Sequence, residues 1–386
     1  MRPTWTFRLL PWLLVAVALL GAPEGLSSNH QPSPFLEDAS VETRHHASMA
    51  LEGPSSLSLG DGIPRRTSPE KRDELYAHAL LAAAAYCSRE RVRQWDCGAK
   101  CPEGYIFYHY EEHVDKGLVA YISYQLVSET SADIVVSFRG SSDFRTWPYD
   151  LQFGRLNFTY SPKHDAKVHG GIYSCFQAMQ PGVNRHLYAL MGELEEMGIR
   201  DIHILSTGHS LGGALAVFEA LAIVQDLEDD LPTSSGRTLG FPQVQLTLTS
   251  VGEPRLGNFA FAQLVYDTMW RYSSPAPTTR SGVSIEPQPG SSSRLRSFQI
   301  HRLTSHNDLI PTLPPTVVGF YHHPTEYWVT YGLGGLGSRL LECPDVATPG
   351  DSETIRENWL CSAGQPNPNM VAHMGVWDIT FGPICM

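Results

Sequence analysis

The stretch Ser206-Thr207-Gly208-His209-Ser210-Leu211-Gly212-Gly213-Ala214 constrains the chain more than any other. Ahead of it, Ile202-His203-Ile204-Leu205 is a short apolar run of the kind that forms a buried strand. Behind it, 211–227 is rich in Ala, Leu and Val and free of Pro, which predicts a helix. Gly208-x-Ser210-x-Gly212 therefore falls on a sharp strand-to-helix turn. Such a turn accepts only small flanking residues, strains the serine backbone and projects its hydroxyl outward. The N–H of Leu211 and the helix N-terminus point at the same spot, where they favour developing negative charge. A G-x-S-x-G pattern alone arises by chance in any loop bearing Gly and Ser. The strand before it, the helix after it and the small pair Gly213-Ala214 make Ser210 a candidate nucleophile.

The 386 residues carry a net charge of −12 and no cluster of Lys and Arg, a poor basis for binding nucleic acid or an anionic membrane. Arg2 and Arg8 flank a short n-region, 9–20 is almost wholly apolar, and Gly21-Ala22 supplies a small-residue site. Residues 1–22 thus read as a secretory signal peptide, too short to span a bilayer comfortably. Seven cysteines in a secreted chain imply three disulfides and one leftover thiol. Cys97-x-x-x-Cys101 has no second Cys/His pair to complete a zinc site, so a small disulfide loop is expected there. Neither metal nor cofactor is implied. Asn157-Phe158-Thr159 is the only N-glycosylation sequon.

From 26 to 72 Ser, Pro, Glu, Gly and His dominate without periodicity, the composition of a disordered segment. It holds two dibasic pairs, Arg65-Arg66 and Lys71-Arg72, so 23–72 is expected to be a propeptide removed at one of them. The globular domain is expected over 73–386. Within it, 75–86 and 183–197 have helical spacing, and 105–110, 118–127, 133–138, 245–251 and 298–303 read as strands. Strands alternating with helices predict an α/β domain with a mainly parallel sheet covered by helices. The stretches 229–242 and 273–297 read as irregular, the second as a surface insertion.

A serine hydroxyl needs a base that is itself oriented by an acid. Where the nucleophile lies on such a turn, the chain order is Ser, then Asp or Glu, then His. Asp308 follows the strand 298–303 in the turn Ser305-His306-Asn307-Asp308 and is the expected acid, with Glu253 and Glu326 as competitors. The base comes from His322, His323 or His373, and His373 is preferred because it lies near the C-terminus, beyond the last strand. His209 points elsewhere on the tight turn and is expected to be structural. Ser141, after the strand 133–138, offers an N–H and a hydroxyl as the second oxyanion donor beside Leu211. Phe144, Trp147 and Leu151 share one face at helical spacing, either as core or as the hidden face of a lid, with Pro148 interrupting the helix.

Taken together, the chain resembles the secreted fungal lipases of the class 3 lipase family, within the α/β-hydrolase fold. The resemblance runs from about Asp73 to the C-terminus. It is carried by Val136-Ser137-Phe138-Arg139-Gly140-Ser141-Ser142, Val168-His169-Gly170-Gly171, Thr207 to Gly213, Gly252-Glu253-Pro254-Arg255-Leu256-Gly257, Asn307-Asp308-Leu309-Ile310-Pro311 with Leu313-Pro314-Pro315, and Glu326-Tyr327-Trp328. It implies Ser210, Asp308 and His373 as catalytic triad, Ser141 and Leu211 as oxyanion hole, and 143–150 as a short lid over the site. It also implies the pairs Cys87–Cys385, Cys97–Cys101 and Cys343–Cys361, leaving Cys175 buried and inert. Met374-Gly375-Val376-Trp377 departs from the aromatic pair that more often follows the family's histidine. The resemblance implies a secreted, extracellular, monomeric triacylglycerol lipase working at a lipid–water interface through an acyl-enzyme. The motifs are similar as well to the family's feruloyl esterase branch, which acts on soluble esters and lacks an apolar lid; Phe144 and Trp147 favour the lipase.

Overall fold

The computed structural model describes residues 62–141, 154–160, 165–229, 243–272, 294–331, 337–344, 346–348, 351–382 and 385. All belong to the compact unit Ser58–Met386. The expected signal peptide, most of the expected propeptide, the stretch 142–153 with Phe144, Trp147 and Leu151, and nearly all of 273–297 lie outside the described residues.

In chain order the elements are β1 (Arg65–Arg66), α1 (Pro69–Ala84), α2 (Arg89–Gln94), β2 (Ile106–His113), β3 (Leu118–Leu126), β4 (Ser131–Phe138), β5 (Arg155–Asn157), β6 (Lys167–His169), α3 (Gly170–Glu196), β7 (Asp201–His209), α4 (Leu211–Glu228), β8 (Gln243–Val251), α5 (Phe259–Arg271), β9 (Leu295–Ser305), β10 (Glu326–Thr330) and β11 (Arg339–Cys343). Nine of the strands form one mixed sheet in the order β1-β11-β10-β9-β8-β7-β4-β3-β2. From β4 through β7, β8 and β9 to β10 neighbours are parallel; the flanking pairs are antiparallel. Each successive parallel strand is added on the same side of the last. Right-handed crossovers then place every connecting helix on one face. The core agrees: residues of α3, α4 and α5 pack together on Ile134, Val136, Ile204, Leu246 and Phe298. α1 covers the opposite face, where Leu81 and Ala84 meet Val135 and Leu205. The alternation of Ile134, Val135 and Val136 between the two faces is the two-residue period of a strand buried on both sides.

Helix α4 lies against the middle of the sheet and buries almost every residue, which explains its unbroken apolar sequence. Helix α3 begins well before the expected 183 and runs through Pro181. Its apolar stripe of Ile172, Tyr173, Phe176, Met179, Val183 and Leu187 is continuous in the core, so packing outweighs the backbone bond that Pro181 cannot make. The ordered fold also starts before the expected Asp73. Arg65 and Arg66 pair antiparallel with Glu342 and Leu341. The Ser68 hydroxyl accepts from the Lys71 N–H at 3.2 Å and caps α1, and Pro69 sits in its first turn. Lys71-Arg72 therefore lies inside a helix. Strands β10 and β11, which complete one side of the sheet, had no reading as strands in the sequence. The irregular stretch expected to end at 297 ends earlier, since β9 begins at Leu295.

Disulfides join Cys87 to Cys385, Cys97 to Cys101 and Cys343 to Cys361. Cys175 is half-buried rather than fully enclosed, and burial pushes its thiol up. Asn157 is exposed on β5.

Candidate active site

Phe138, His209, Val251 and Ser305 end four neighbouring strands, three of them adjoining β7 or its partner, so the segments that follow gather at one rim of the sheet. At its centre Ser210 has φ +61° and ψ −126°, the strained turn expected between β7 and α4. Gly208 and Gly212 are pressed against each other and against the Phe138 carbonyl, and a Cβ on either would overlap backbone. Only glycine fits at these two positions. The Ser210 N–H donates to the Val251 carbonyl at 2.8 Å, fixing the turn to β8. Its hydroxyl oxygen is buried and makes no hydrogen bond among the described residues.

Asp308 and His373, sixty-five residues apart, meet through Oδ2 and Nδ1 at 2.8 Å. The other carboxylate oxygen accepts the Ile310 N–H at 2.9 Å. The carboxylate therefore holds Nδ1–H and leaves Nε2 as the imidazole's basic nitrogen. Gly252, at the end of β8 with φ +57°, lies against this pair: an added Cβ would stand 3.0 Å from Asp308 Oδ2 and 3.1 Å from His373 Nδ1. Since Gly252 follows the acceptor of the Ser210 N–H, β8 brings the serine turn and the Asp–His pair to the same place.

Ser141 is half-buried just beyond β4. Its neighbour Gly140 is so close to the serine that a Cβ there would come within 3.1 Å of Ser210 Cβ. Leu211 opens α4. Both expected oxyanion donors thus belong to segments touching Ser210.

The competing histidines and acids are engaged elsewhere. His322 Nε2 donates to the Pro311 carbonyl at 2.8 Å and His323 Nδ1 to the Pro324 carbonyl at 2.7 Å. Their remaining nitrogens face the buried Glu253, at 3.5 and 2.7 Å. Burial alone would raise the Glu253 carboxyl, but His323 and His322 outweigh it and hold it well below the usual range. Glu326 accepts from Thr304 at 2.6 Å, pairs with Arg302 at 3.3 Å and also accepts from Ser362.

Three further residues at the site carry no functional role in the sequence reading, in which His209 is expected to be structural. Asn369 accepts the Ala372 N–H through Oδ1 at 2.9 Å and donates to Asn307 Oδ1 at 3.0 Å, tying the turn that carries His373 to the turn that carries Asp308. The pair of Asn residues in Asn367-Pro368-Asn369, four residues before a histidine, is the one signal that marked this turn. Tyr86 and His209 are the others, and their contacts are described below.

Among the described residues, metal-ligand side chains gather at Glu74–His78–His301 and at His109–Glu111–His186. In the first, the chain's own Lys71 ammonium lies 2.7 Å from Glu74 and 3.2 Å from His301 Nε2, where a bound cation would sit. In the second, the His109 and His186 rings stack at 3.4 Å. Neither grouping includes a residue of the Ser–His–Asp arrangement.

The model of the family Lipase (class 3) matches residues 135–318, from within β4 to beyond Asp308. Over 307 residues the chain is 28% identical to a lipase of Rhizomucor miehei, covering 75% of this chain and 68% of that one. Over these residues the chain is similar to the class 3 lipase family. The chain is also 25% identical over 303 residues to the secreted mono- and diacylglycerol lipase 1 of Fusarium solani, covering 76% and 72% of the two chains. Its fold is similar to that of lipase II from Rhizopus niveus, with a TM-score of 0.60 over 84% of this chain and all of that one at 23% identity. It is similar as well, at 25% identity and a TM-score of 0.59, to a triacylglycerol lipase whose catalytic centre is formed by a serine protease triad; the match covers 83% and 99% of the chains. The sheet is that of the α/β-hydrolase fold.

Proposed function

We propose that this protein is a lipase that hydrolyses acylglycerol esters through Ser210, His373 and Asp308. The observation that carries the reading is the 2.8 Å bond between Asp308 and His373 Nδ1, packed against the strand that also holds the strained Ser210 turn. Ser210 Oγ attacks the ester carbonyl while His373 Nε2 takes its proton. The tetrahedral oxyanion is met by the Leu211 N–H and by Ser141. His373 returns the proton to the departing alcohol, leaving an acyl-serine. Water, deprotonated by the same nitrogen, then attacks the acyl carbon, the serine leaves with the proton, and a fatty acid is released.

A lipid surface is the setting that best suits the rim. Segments 309–322 and 358–377, one leaving Asp308 and the other carrying His373, contain no Asp, Glu, Lys or Arg in a chain that is 18% charged. Val317, Trp359 and Val371 on them are 89%, 65% and 83% exposed. Apolar side chains held in water beside an active site fit an apolar partner, and an uncharged acylglycerol phase makes no demand for basic residues. Ser210 and His373 are themselves buried, so substrate reaches them only after a movement. Phe144, Trp147 and Leu151 remain the candidates for its apolar face on sequence grounds. Secretion belongs to the same reading: three disulfides suit an oxidising compartment. No helix among the described residues is long and apolar enough to cross a membrane.

The test is hydrolysis rate against concentration for a triacylglycerol taken through its solubility limit, with methyl ferulate as soluble comparator. A rise in rate when droplets form, absent in Ser210→Ala, is the expected result. A smooth saturation curve with rapid ferulate turnover would overturn the lipase assignment.

A further inference from the structure

Tyr86 and His209 lie behind the catalytic groups, and every polar atom of the two has a partner. The His209 Nε2 lies 2.9 Å from the His373 backbone carbonyl. A carbonyl only accepts, so Nε2 carries the hydrogen and donates it. Burial first, and the neighbouring His373 second, hold His209 far below the usual histidine range. The ring is therefore neutral and its Nδ1 is an acceptor. The Tyr86 hydroxyl, 2.7 Å away, must then be the donor to Nδ1. The phenol oxygen also lies against Gly140, the residue before Ser141, so closely that a Cβ there would overlap it. The chain of donors runs from Tyr86 to His209 and from His209 to the backbone of His373, and its Tyr86 end packs on the oxyanion loop at Gly140. The His209 ring is flat against Phe381, 3.9 Å between centroids at 1°, and lies 4.4 Å from the His373 ring on a tilt of 32°.

We propose that Tyr86 and His209 are positioning residues that fix the oxyanion loop and the catalytic histidine relative to each other, through this directed pair of hydrogen bonds and the packing of the Tyr86 hydroxyl on Gly140. The proposal rests on the triad reading above. It accounts for a histidine, rather than any other residue, beside the serine. That position needs a flat ring that donates at one edge, accepts at the other, and stays uncharged against His373. A positive charge there would repel the proton that His373 must take up. It also accounts for a tyrosine whose hydroxyl donates to His209 Nδ1, a task phenylalanine cannot perform.

The test uses the full chain and a soluble short-chain p-nitrophenyl ester, with active sites counted by a serine-reactive phosphonate so that rates refer to folded enzyme. Tyr86→Phe keeps the ring and removes the bond to His209 Nδ1 and the contact with Gly140; kcat per titrated site falls about tenfold, while KM changes by less than about twofold. Tyr121→Phe is the control. It removes one buried bond of the same kind, from the Tyr121 hydroxyl to the Leu81 carbonyl at 2.7 Å, away from the site, and lowers Tm without altering kcat. The second pair of variants separates the two ends of the ring. His209→Gln can place a donor near Nε2 and recovers most of the rate; His209→Asn reaches only the Tyr86 side and does not. Tyr86→Phe with wild-type kcat per site, or Gln and Asn variants that behave alike, overturns the proposal. Absence of phosphonate labelling in the wild-type chain, by contrast, would fell the triad reading itself.

Discussion

Replacing Gly252 by Ala tests whether the rim of the sheet sets the catalytic geometry. Two costs arise at this position. The first is conformational: φ is +57°, and an L-residue held in the left-handed region costs roughly 1–2 kcal/mol. The second is positional. The new methyl would stand 3.0 Å from Asp308 Oδ2 and 3.1 Å from His373 Nδ1 and Cε1, closer than real Cβ contacts normally come, so the pair must move by a few tenths of an ångström. Gly117 separates the two costs. It has φ +61° and nothing within 4 Å of an added Cβ, so Gly117→Ala carries the strain alone. Displacement by a full ångström costs about a hundredfold in rate, so a few tenths is expected to cost about tenfold. Unfolding free energies from urea titration should therefore fall in both variants by roughly the same 1–2 kcal/mol of backbone strain. Only Gly252→Ala should lose kcat on a soluble ester, and its phosphonate labelling should slow in proportion. A Gly252→Ala enzyme with full kcat and the same stability loss as Gly117→Ala would refute the argument that this glycine keeps space for the Asp–His pair.

Other outcomes follow from single contacts. Asp308→Asn leaves the shape but presents an amide to Nδ1, so the wrong imidazole tautomer is favoured and kcat should fall by about 10⁴-fold; retention of more than about a tenth of the activity would remove Asp308 from the mechanism. Glu219, buried in α4 with neither carboxyl oxygen hydrogen-bonded among the described residues, has its pKa pushed well up by burial and then by Asp226. A carboxyl raised in the folded state contributes stability that is complete below its unfolded pKa of about 4.3 and is lost as pH rises through the folded value. Glu219→Gln should therefore flatten the fall in urea midpoint above that pH, and an unchanged slope would contradict it. The Cys87–Cys385 bond spans 298 positions and Cys343–Cys361 spans 18. Chain entropy alone makes the loss of the long-range bond costlier by about 2–3 kcal/mol, which denaturation of the two Cys→Ser pairs would measure.

Much of this architecture was legible because local pattern and tertiary role coincide. The elbow reads correctly from Ile202 to Leu227 since strand, turn and helix each need what the sequence supplies: an apolar run, small flanks and Ala-rich continuity. Asp308 and His373 were accessible through chain order, but nothing local distinguishes His373 from His322 and His323. What separates them is Glu253, brought to the other two by the fold. Helix α3 was misjudged at its start because Pro181-Gly182 is a strong local break and its compensation is spread over the apolar stripe facing the sheet. The Tyr86–His209 chain was invisible for a related reason. Hydrogen-bond direction depends on which atoms face each other, and a tyrosine at the end of an Ala-rich helix carries no sign of it.

The position of the two dibasic pairs bears on maturation. A processing protease binds its substrate as an extended strand in its own cleft. Arg65 and Arg66 are already extended and exposed at the border of the sheet, paired with β11. Lys71 and Arg72 are wound into the first turns of α1, and the Lys71 ammonium is occupied by Glu74 and His301. Cutting after Arg66 removes a two-residue strand and leaves the Ser68 cap intact; cutting after Arg72 removes the cap, Pro69 and the internal ammonium together. If the folded chain is processed at a dibasic pair, the upstream pair is the expected site, and the expected new N-terminus is Thr67. N-terminal sequencing of the secreted enzyme would reveal it, and a chain starting at Asp73 would mean that the cut precedes the winding of α1.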